Sequence, residues 1–516
     1  VLHTAPTEPQ TASPSEVTFA NGLLAVLVPD RHVHPERLPA TLGRVHEVVG
    51  IVAADPDQAT EIAARCALAA ADRHSNGGLS RHAATAVAGV LASSLSPRQV
   101  AQATTLLAES ELSTDEVVAL HHEFKIPVSR LEDDLLPVRG DGALIHDSLG
   151  RTLIDLDSNY SATNLGNSNP EIARGLANQA SLLISQKEDR IQVARARFLK
   201  EFTGLLPDEL HCFYWQNSGG EAVDKSLKMA KAYTGHTGVI AFDGGFHGRT
   251  HGAVAVTHNP AYRTPFGLDD APWVHFAPFN DLDAVEQLLA SGAAKTVILE
   301  LVQGEEAGIR PADAAFATGL RALCNAHGAV LICDEVQTGF GRIATGPGTW
   351  FACQVYGIVP DIIAIGKSFG GGYPVTAVVT QEHISRAMRP GFDGSTFGGN
   401  PMAMTAALIA TRQMRELELP TRVVKRSQQL ADGLGSIESP LVEGFRTHGL
   451  MVGIDLPNAE TVHAVQELMI GHGAHSSLST GATMRWMPPL VITEEQVEAV
   501  LRAFSKALDE VDGGAA

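Results

Sequence analysis

Four groups of residues have types and spacings that could do chemistry. Lys367 directly follows the apolar run DIIAIG and precedes the flexible FGGGYP. A lysine is ordinarily a solvated surface residue. At the carboxyl end of a buried strand, however, its ammonium loses water, its pKa falls, and the neutral amine becomes a nucleophile toward an aldehyde. Asp334 and Glu335 close a second apolar run, AVLICDEV. A carboxylate there is costly unless it faces a positive partner such as a protonated pyridine nitrogen, caps a helix or joins a salt bridge. Ser218, Gly219 and Gly220 stand between HCFYW and EAVDKSLKMAKAY. Bare backbone at such a helix start could receive a phosphate, or could serve the fold alone. Finally, Gly245, Phe246, His247 and Gly248 offer an aromatic that could stack on a flat ring or fill core. His247 and His251 have the i, i+4 spacing of metal ligands, but Gly248 and Gly252 predict no helix to present them, and no metal site is expected.

These groups sit at the ends of predicted strands. HCFYW, GVIAF, TVILELV, AVLICDEV and DIIAIG alternate with helical patterns such as Val223, Leu227 and Ala230. That alternation predicts an α/β domain with a mostly parallel sheet wrapped by helices, in which ligand chemistry collects at the strands' carboxyl ends. The large domain is expected over residues 183–410. Residues 126–182 precede it with a small sheet, in which GALIHDSLGRTLIDLDSNY places two short strands around the turn Ser148, Leu149, Gly150. Residues 411–516 return to mixed α and β. They end in a helix announced by Pro488, Pro489 and a capping box of Thr493 with Gln496, with Val497, Val500, Leu501, Phe504 and Leu508 on one apolar face. Residues 1–125 are expected to form a flexible tail of about sixteen residues and an Ala-rich accessory helical domain, with turns at Ser75 to Gly78 and Ser94 to Pro97. This accessory domain either serves packing or docks a protein or carrier partner.

At 516 residues the chain is too long for one core, and it carries a formal net charge of −20 with 44% apolar residues. That charge opposes broad binding to nucleic acid. No apolar run is long enough for a spanning helix, so a cytoplasmic enzyme without membrane attachment is expected. The scattered cysteines Cys66, Cys212, Cys324, Cys333 and Cys353 lack paired spacing and are expected as reduced, buried thiols.

From roughly Pro127 onward the chain resembles the class III aminotransferases, which include the ornithine, acetylornithine and 4-aminobutyrate enzymes. The resemblance rests on NSGGEAVDKSLKMAK, GGFHGRTHGA, ELVQGEEAG, DEVQTGFGR, PDIIAIGKSFGGGYP, STFGGNPMA, HGLMVGIDL and RWMPPL in that order. It implies a fold type I transferase, with a seven-stranded large domain and a small α+β domain, plus the N-terminal helical extension. It implies pyridoxal 5′-phosphate (PLP) as cofactor, held as a Schiff base, the internal aldimine, on Lys367 and drawing its electron-sink character from Asp334 at the pyridine nitrogen. Ser218, Gly219 and Gly220 would bind the phosphate, Phe246 and Val336 would flank the ring, and Gln337 would reach the phenolic oxygen. His247 and Glu300 would complete the cofactor pocket. Thr396 would contact the phosphate of a neighbouring subunit, making a homodimer part of the site. Arg485 resembles the arginine that grips a substrate carboxylate, Glu305 the carboxylate that neutralises it, and Tyr160 a substrate-pocket residue.

The chain departs from the family pattern at Glu300-Leu301, at Gly166 to Pro170 and in IATGPGTW. These segments flank the substrate mouth and bear on substrate choice. The residues themselves leave transamination beside racemisation, decarboxylation, elimination or carbon–carbon bond formation on the same scaffold; Arg485 with Glu305 favours transamination between an amino acid or amine and a 2-oxo acid. A nicotinamide dehydrogenase reading of Gly339, Gly341 and Ala344 fails because Gly346, Pro347 and Gly348 follow instead of a helix. A non-catalytic binding module would not need a lysine and an aspartate at two strand ends.

Overall fold

The structure is a computed structural model. It describes residues 45–514 except 47, 54–55, 72–80, 109–112, 130, 132–134, 203 and 479–480. The predicted tail and the turn at Ser75 to Gly78 lie outside the described residues. The chain divides into two compact units, one reaching Arg139 with His146–Thr152, the other comprising Gly140–Ile145 and Leu153–Ala516.

The first unit contains helices α1 (Pro56–Ala71), α2 (Arg81–Ser94), α3 (Pro97–Ala108) and α4 (Thr114–Phe124). Val45, Val49, Ile62, Cys66, Val87, Leu91 and Val100 form its core. The predicted turn between Ser94 and Pro97 is present, and the Gln99 side chain reaches back to accept from the Ser96 amide at 2.9 Å. Helix α4 is closed at its start by a capping box of Ser113 with Glu116, yet none of its residues is buried.

The second unit is built on a seven-stranded sheet: β1 (Cys212–Gln216), β2 (Val239–Phe242), β3 (Val274–Ala277), β4 (Thr296–Leu299), β5 (Val330–Asp334), β6 (Ile362–Ile365) and β7 (Thr376–Thr380). Their spatial order is β1-β7-β6-β5-β4-β2-β3. Only β7 runs antiparallel to its neighbours. Strands β2, β4, β5 and β6 are buried along their whole length, because helices cover both faces, and this is why they read as unbroken apolar runs. Strands β3 and β7 were not expected from the sequence; VHFA is short and interrupted by His275, and TAVVT follows a Gly-Pro-rich turn.

A second, antiparallel sheet comprises β8 (Gly444–His448), β9 (Met451–Asp455), β10 (Ser477–Leu478) and β11 (Thr483–Trp486), in the order β8-β9-β11-β10. The last helix, Glu494–Gly514, starts as predicted, with the Thr493 amide donating to Gln496 at 2.9 Å. Its apolar face buries Val497, Val500, Phe504 and Leu508, and Phe504 packs edge-on against Trp486 with ring centroids 5.1 Å apart. One expectation is corrected: His251–Ala255 forms a short helix despite Gly252, because the Cβ-free position lets Asp224 approach closely. Cys66, Cys324, Cys333 and Cys353 are buried free thiols and Cys212 is a partly buried one; burial pushes Cys66 and Cys324 up to about 12. Among the described residues no helix is long and apolar enough to cross a membrane.

Candidate active site

Because β1, β2, β4, β5 and β6 run in one direction, their carboxyl ends open on one edge of the sheet, and the loops beyond them line a cavity of about 560 Å³. Into it come Ser218, Gly219 and Gly220 after β1, Phe246 and His247 after β2, Glu300 and Glu305 after β4, Asp334 at the end of β5 with Val336 and Gln337 after it, and Lys367 after β6. Arg249, Thr250, Asn159 and Tyr373, which sequence reasoning did not single out, line it too. Arg249 and Thr250 lie inside the quoted motif GGFHGRTHGA, so the signal for them was present. Thr396 belongs elsewhere, in a cavity of about 630 Å³ with Lys225, Lys228 and Trp273 that contains neither Lys367 nor Asp334. The chemistry sits in the smaller of the two.

Strand alternation sends the neighbouring carboxylates Asp334 and Glu335 to opposite tasks. Glu335 turns away from the cavity and accepts the amides of Ala352 at 2.6 Å and Cys353 at 2.7 Å, with the Thr338 hydroxyl at 2.8 Å. The helix-capping role considered for Asp334 therefore falls to its neighbour. Asp334 accepts the Val336 amide on Oδ1 at 3.1 Å and pairs through Oδ2 with His247 Nδ1 at 2.9 Å. This contact gives the buried His247 ring a carboxylate partner. Glu300, also buried, accepts the Phe246 amide at 2.9 Å. Burial pushes its carboxyl up to about 7, against the pull of His247.

Lys367 occupies a left-handed backbone conformation, φ 48°, which a side-chain-bearing residue adopts only when its surroundings impose it. Burial lowers its ammonium to about 8, opposed by the nearby Glu305 carboxylate. Arg485, on β11, is fully buried. Its Nη1 donates to Glu305 Oε2 at 2.5 Å and to the Gly304 carbonyl at 3.1 Å, and its Nε to Ser477 Oγ at 3.2 Å. Nη2 is sealed from solvent with no partner among the described residues. The Tyr160 ring lies 5.4 Å from the guanidinium carbon.

The edge of the cavity nearest β1 suits a phosphate. Helix α5 (Gly219–Thr234) begins there, and its capping box occupies the Ser218 amide and hydroxyl with Glu221. The amides of Gly219 and Gly220 remain for a ligand. A Cβ on Gly220 would come within 2.9 Å of Thr250 Oγ1, and one on Gly248 within 2.7 Å of Gly220 Cα, so glycine keeps this cradle open to backbone approach. Thr250 Oγ1 is itself buried and unpaired among the described residues. Phe246 and Val336 add apolar walls to the same cavity.

The sequence profile of class-III aminotransferases matches residues 128–508. The chain belongs to the class III aminotransferases. It is 38% identical over 383 residues to the acetylornithine aminotransferase of Methanopyrus kandleri, covering 74% of this chain and 95% of that one. It is 35% identical over 382 residues to a [LysW]-aminoadipate semialdehyde transaminase of Deinococcus radiodurans, covering 73% and 87%. Among solved structures, the acetylornithine aminotransferase of Elizabethkingia anophelis aligns with TM-score 0.68 at 27% identity, over 78% of this chain and 100% of the other. The ornithine aminotransferase of Toxoplasma gondii, at 23% identity, shares the fold with TM-score 0.73 over 78% and 95%, and in its crystal PLP partly occupies the active site. This aminotransferase therefore has fold type I and depends on PLP, and the cradle, the apolar walls Phe246 and Val336 and the Asp334–His247 pair fit that cofactor. The comparisons give no support to the racemase, decarboxylase, elimination or carbon–carbon bond-forming alternative.

Proposed function

We propose that this aminotransferase moves the terminal amino group of an α-N-acylated diamino acid, of the acetylornithine kind, to a dicarboxylic 2-oxo acid. The observation that carries the reading is Arg485, a buried guanidinium paired to Glu305 yet with Nη2 left over. While Glu305 neutralises it, the pocket accepts an amine-bearing chain; once Glu305 withdraws, a carboxylate can take both nitrogens in a bidentate fork. Arg249 supplies a second cation at the cavity wall for the donor's own carboxylate. The relatives named for acetylornithine and for carrier-bound aminoadipate semialdehyde act on compounds of this class.

In this proposal Gly219, Gly220 and Thr250 hold the cofactor phosphate, Phe246 and Val336 bracket the ring, and Gln337 reaches its oxygen. When bound, PLP would take up the substrate amine and accept the electrons released at the carbon that bears it. Asp334, fixed by the Val336 amide and by His247, holds a proton at the ring nitrogen. Lys367 Nζ, with its pKa lowered to about 8, takes and returns the proton at the substrate carbon that bears the transferred amine. Glu300 orients the Phe246 backbone. Residues 183–410 would carry this machinery, with 126–182 and 411–516 supplying the substrate side. We further propose a cytoplasmic homodimer in which Thr396 serves the partner's phosphate and the exposed Leu182, Ile184 and Ile191 are covered, and a docking role for the helical unit of residues 1–125.

The test is a single-turnover half-reaction. Acetylornithine should convert the cofactor to its amine form with release of an oxo product, and 2-oxoglutarate should reverse the change. Carbon dioxide release, or consumption of the donor without an oxo product, would sink the proposal.

A further inference from the structure

We infer that Tyr262 is a positioning residue for substrate choice: its ring fixes the Arg249 guanidinium at the cavity wall, where that cation selects donors that carry a carboxylate. The inference rests on the proposed reading of Arg249 as the partner of the donor's own carboxylate.

Arg249 lines the active-site cavity and is exposed. An arginine in such a place spreads over many rotamers, and a carboxylate that binds it must first gather them. Two aromatic rings do this in advance. The guanidinium carbon lies 3.6 Å from the centroid of Tyr262, at van der Waals contact, and 5.1 Å from that of Phe246. The rings themselves meet edge-on, with centroids 6.1 Å apart and planes at 84°. A guanidinium held by a ring keeps its charge and its N–H donors for an incoming carboxylate, whereas one held by an acidic side chain would have spent them.

Tyr262 does not line the cavity, so its influence there passes through Arg249. It lies on the short helix Pro260–Arg263, which is tied to both sides of the site. The Asn259 side chain caps that helix by accepting the Ala261 amide at 3.0 Å, and its Nδ2 donates to Glu306 at 2.8 Å, the neighbour in sequence of the Glu305 that pairs with Arg485. Arg263 donates to the carbonyls of His258 at 3.0 Å and Asp269 at 3.2 Å. The His258 amide in turn donates to the Gly245 carbonyl at 2.9 Å, one residue before Phe246. The Tyr262 ring thus rides on the same framework as Phe246 and the Glu305 segment. Tyr262 also packs against the cluster of Val254, Ala255 and Leu268. Packing alone would alter stability and treat all donors alike; fixing Arg249 favours only donors with a carboxylate.

The test follows the half-reaction of the holoenzyme with acetylornithine and with N-acetyl-1,4-diaminobutane, the same chain without its carboxylate. Saturating rate and apparent Kd are read from cofactor absorbance for each donor. In Tyr262→Leu and Tyr262→Met the apparent Kd for acetylornithine should rise about three- to tenfold, while its saturating rate and both constants for the diaminobutane stay within about twofold. Tyr262→Phe, which keeps the ring, should match the parent. Unchanged acetylornithine binding, equal weakening of both donors, a phenylalanine variant as poor as the leucine one, or failure of both aliphatic variants to fold would overturn the inference. Arg249→Gln separates the two levels. If it removes the preference for acetylornithine while the Tyr262 variants keep it, only the present inference falls; if the preference survives Arg249→Gln, Arg249 does not hold the donor's carboxylate and both readings fall.

Discussion

Asp334 and Lys367 could be singled out in the sequence because each ends an unbroken apolar run, although Glu335, next to Asp334, shows that a carboxylate there can also cap a helix. Asp334→Asn should keep the cofactor but lower turnover by a factor on the order of 10² to 10³, read from steady-state kinetics against cofactor absorbance. Turnover near that of the parent would remove Asp334 from the mechanism. Glu300 gives a prediction about stability. Its carboxyl, normally near 4.5, is held up to about 7 by burial, so the native protein keeps a proton that the unfolded chain releases. Native stability then falls as pH rises from about 4.5 through 7. Glu300→Gln, which can still accept the Phe246 amide, should stabilise the apoprotein at pH 8 relative to pH 4.5 by roughly 3 kcal/mol at most. Denaturation midpoints at the two pH values measure this, and an equal effect at both would contradict it. Arg249 escaped sequence reasoning although it sat within a quoted motif.

At the scale of elements, the strands that carry chemistry were readable because burial on both faces makes them apolar throughout. Strands β3 and β7 were not, since four or five residues beside a histidine or a Gly-Pro turn give too little pattern. The helix at His251–Ala255 shows the reverse error, a glycine read as a breaker where it admits a close neighbour. The phosphate cradle is an element-level device, formed by the start of α5 and the loop after β2. Gly248 has φ 124°, and a Cβ there would sit 2.7 Å from Gly220 Cα. Gly248→Ala should cost about 2–4 kcal/mol of stability and weaken cofactor retention, seen in thermal melts and in dialysis against cofactor-free buffer. A variant that melts with the parent and keeps its colour would mean the cradle is not tight.

At the scale of the molecule, the family match begins at residue 128, and the described helices up to Ala108 form a core of their own. A chain starting at Pro127 should therefore fold and perform the half-reaction within a fewfold of the full-length rate; an insoluble or inactive product would make the helical unit part of the catalytic fold. Amino transfer turns on one nitrogen atom at one strand end, Lys367 Nζ. Borohydride reduction of the purified protein followed by peptide mass mapping should place a pyridoxyl label on Lys367 alone, and incubation with the amino donor beforehand should prevent it. A label on another lysine, or none on a protein that still transfers amino groups, would contradict the account.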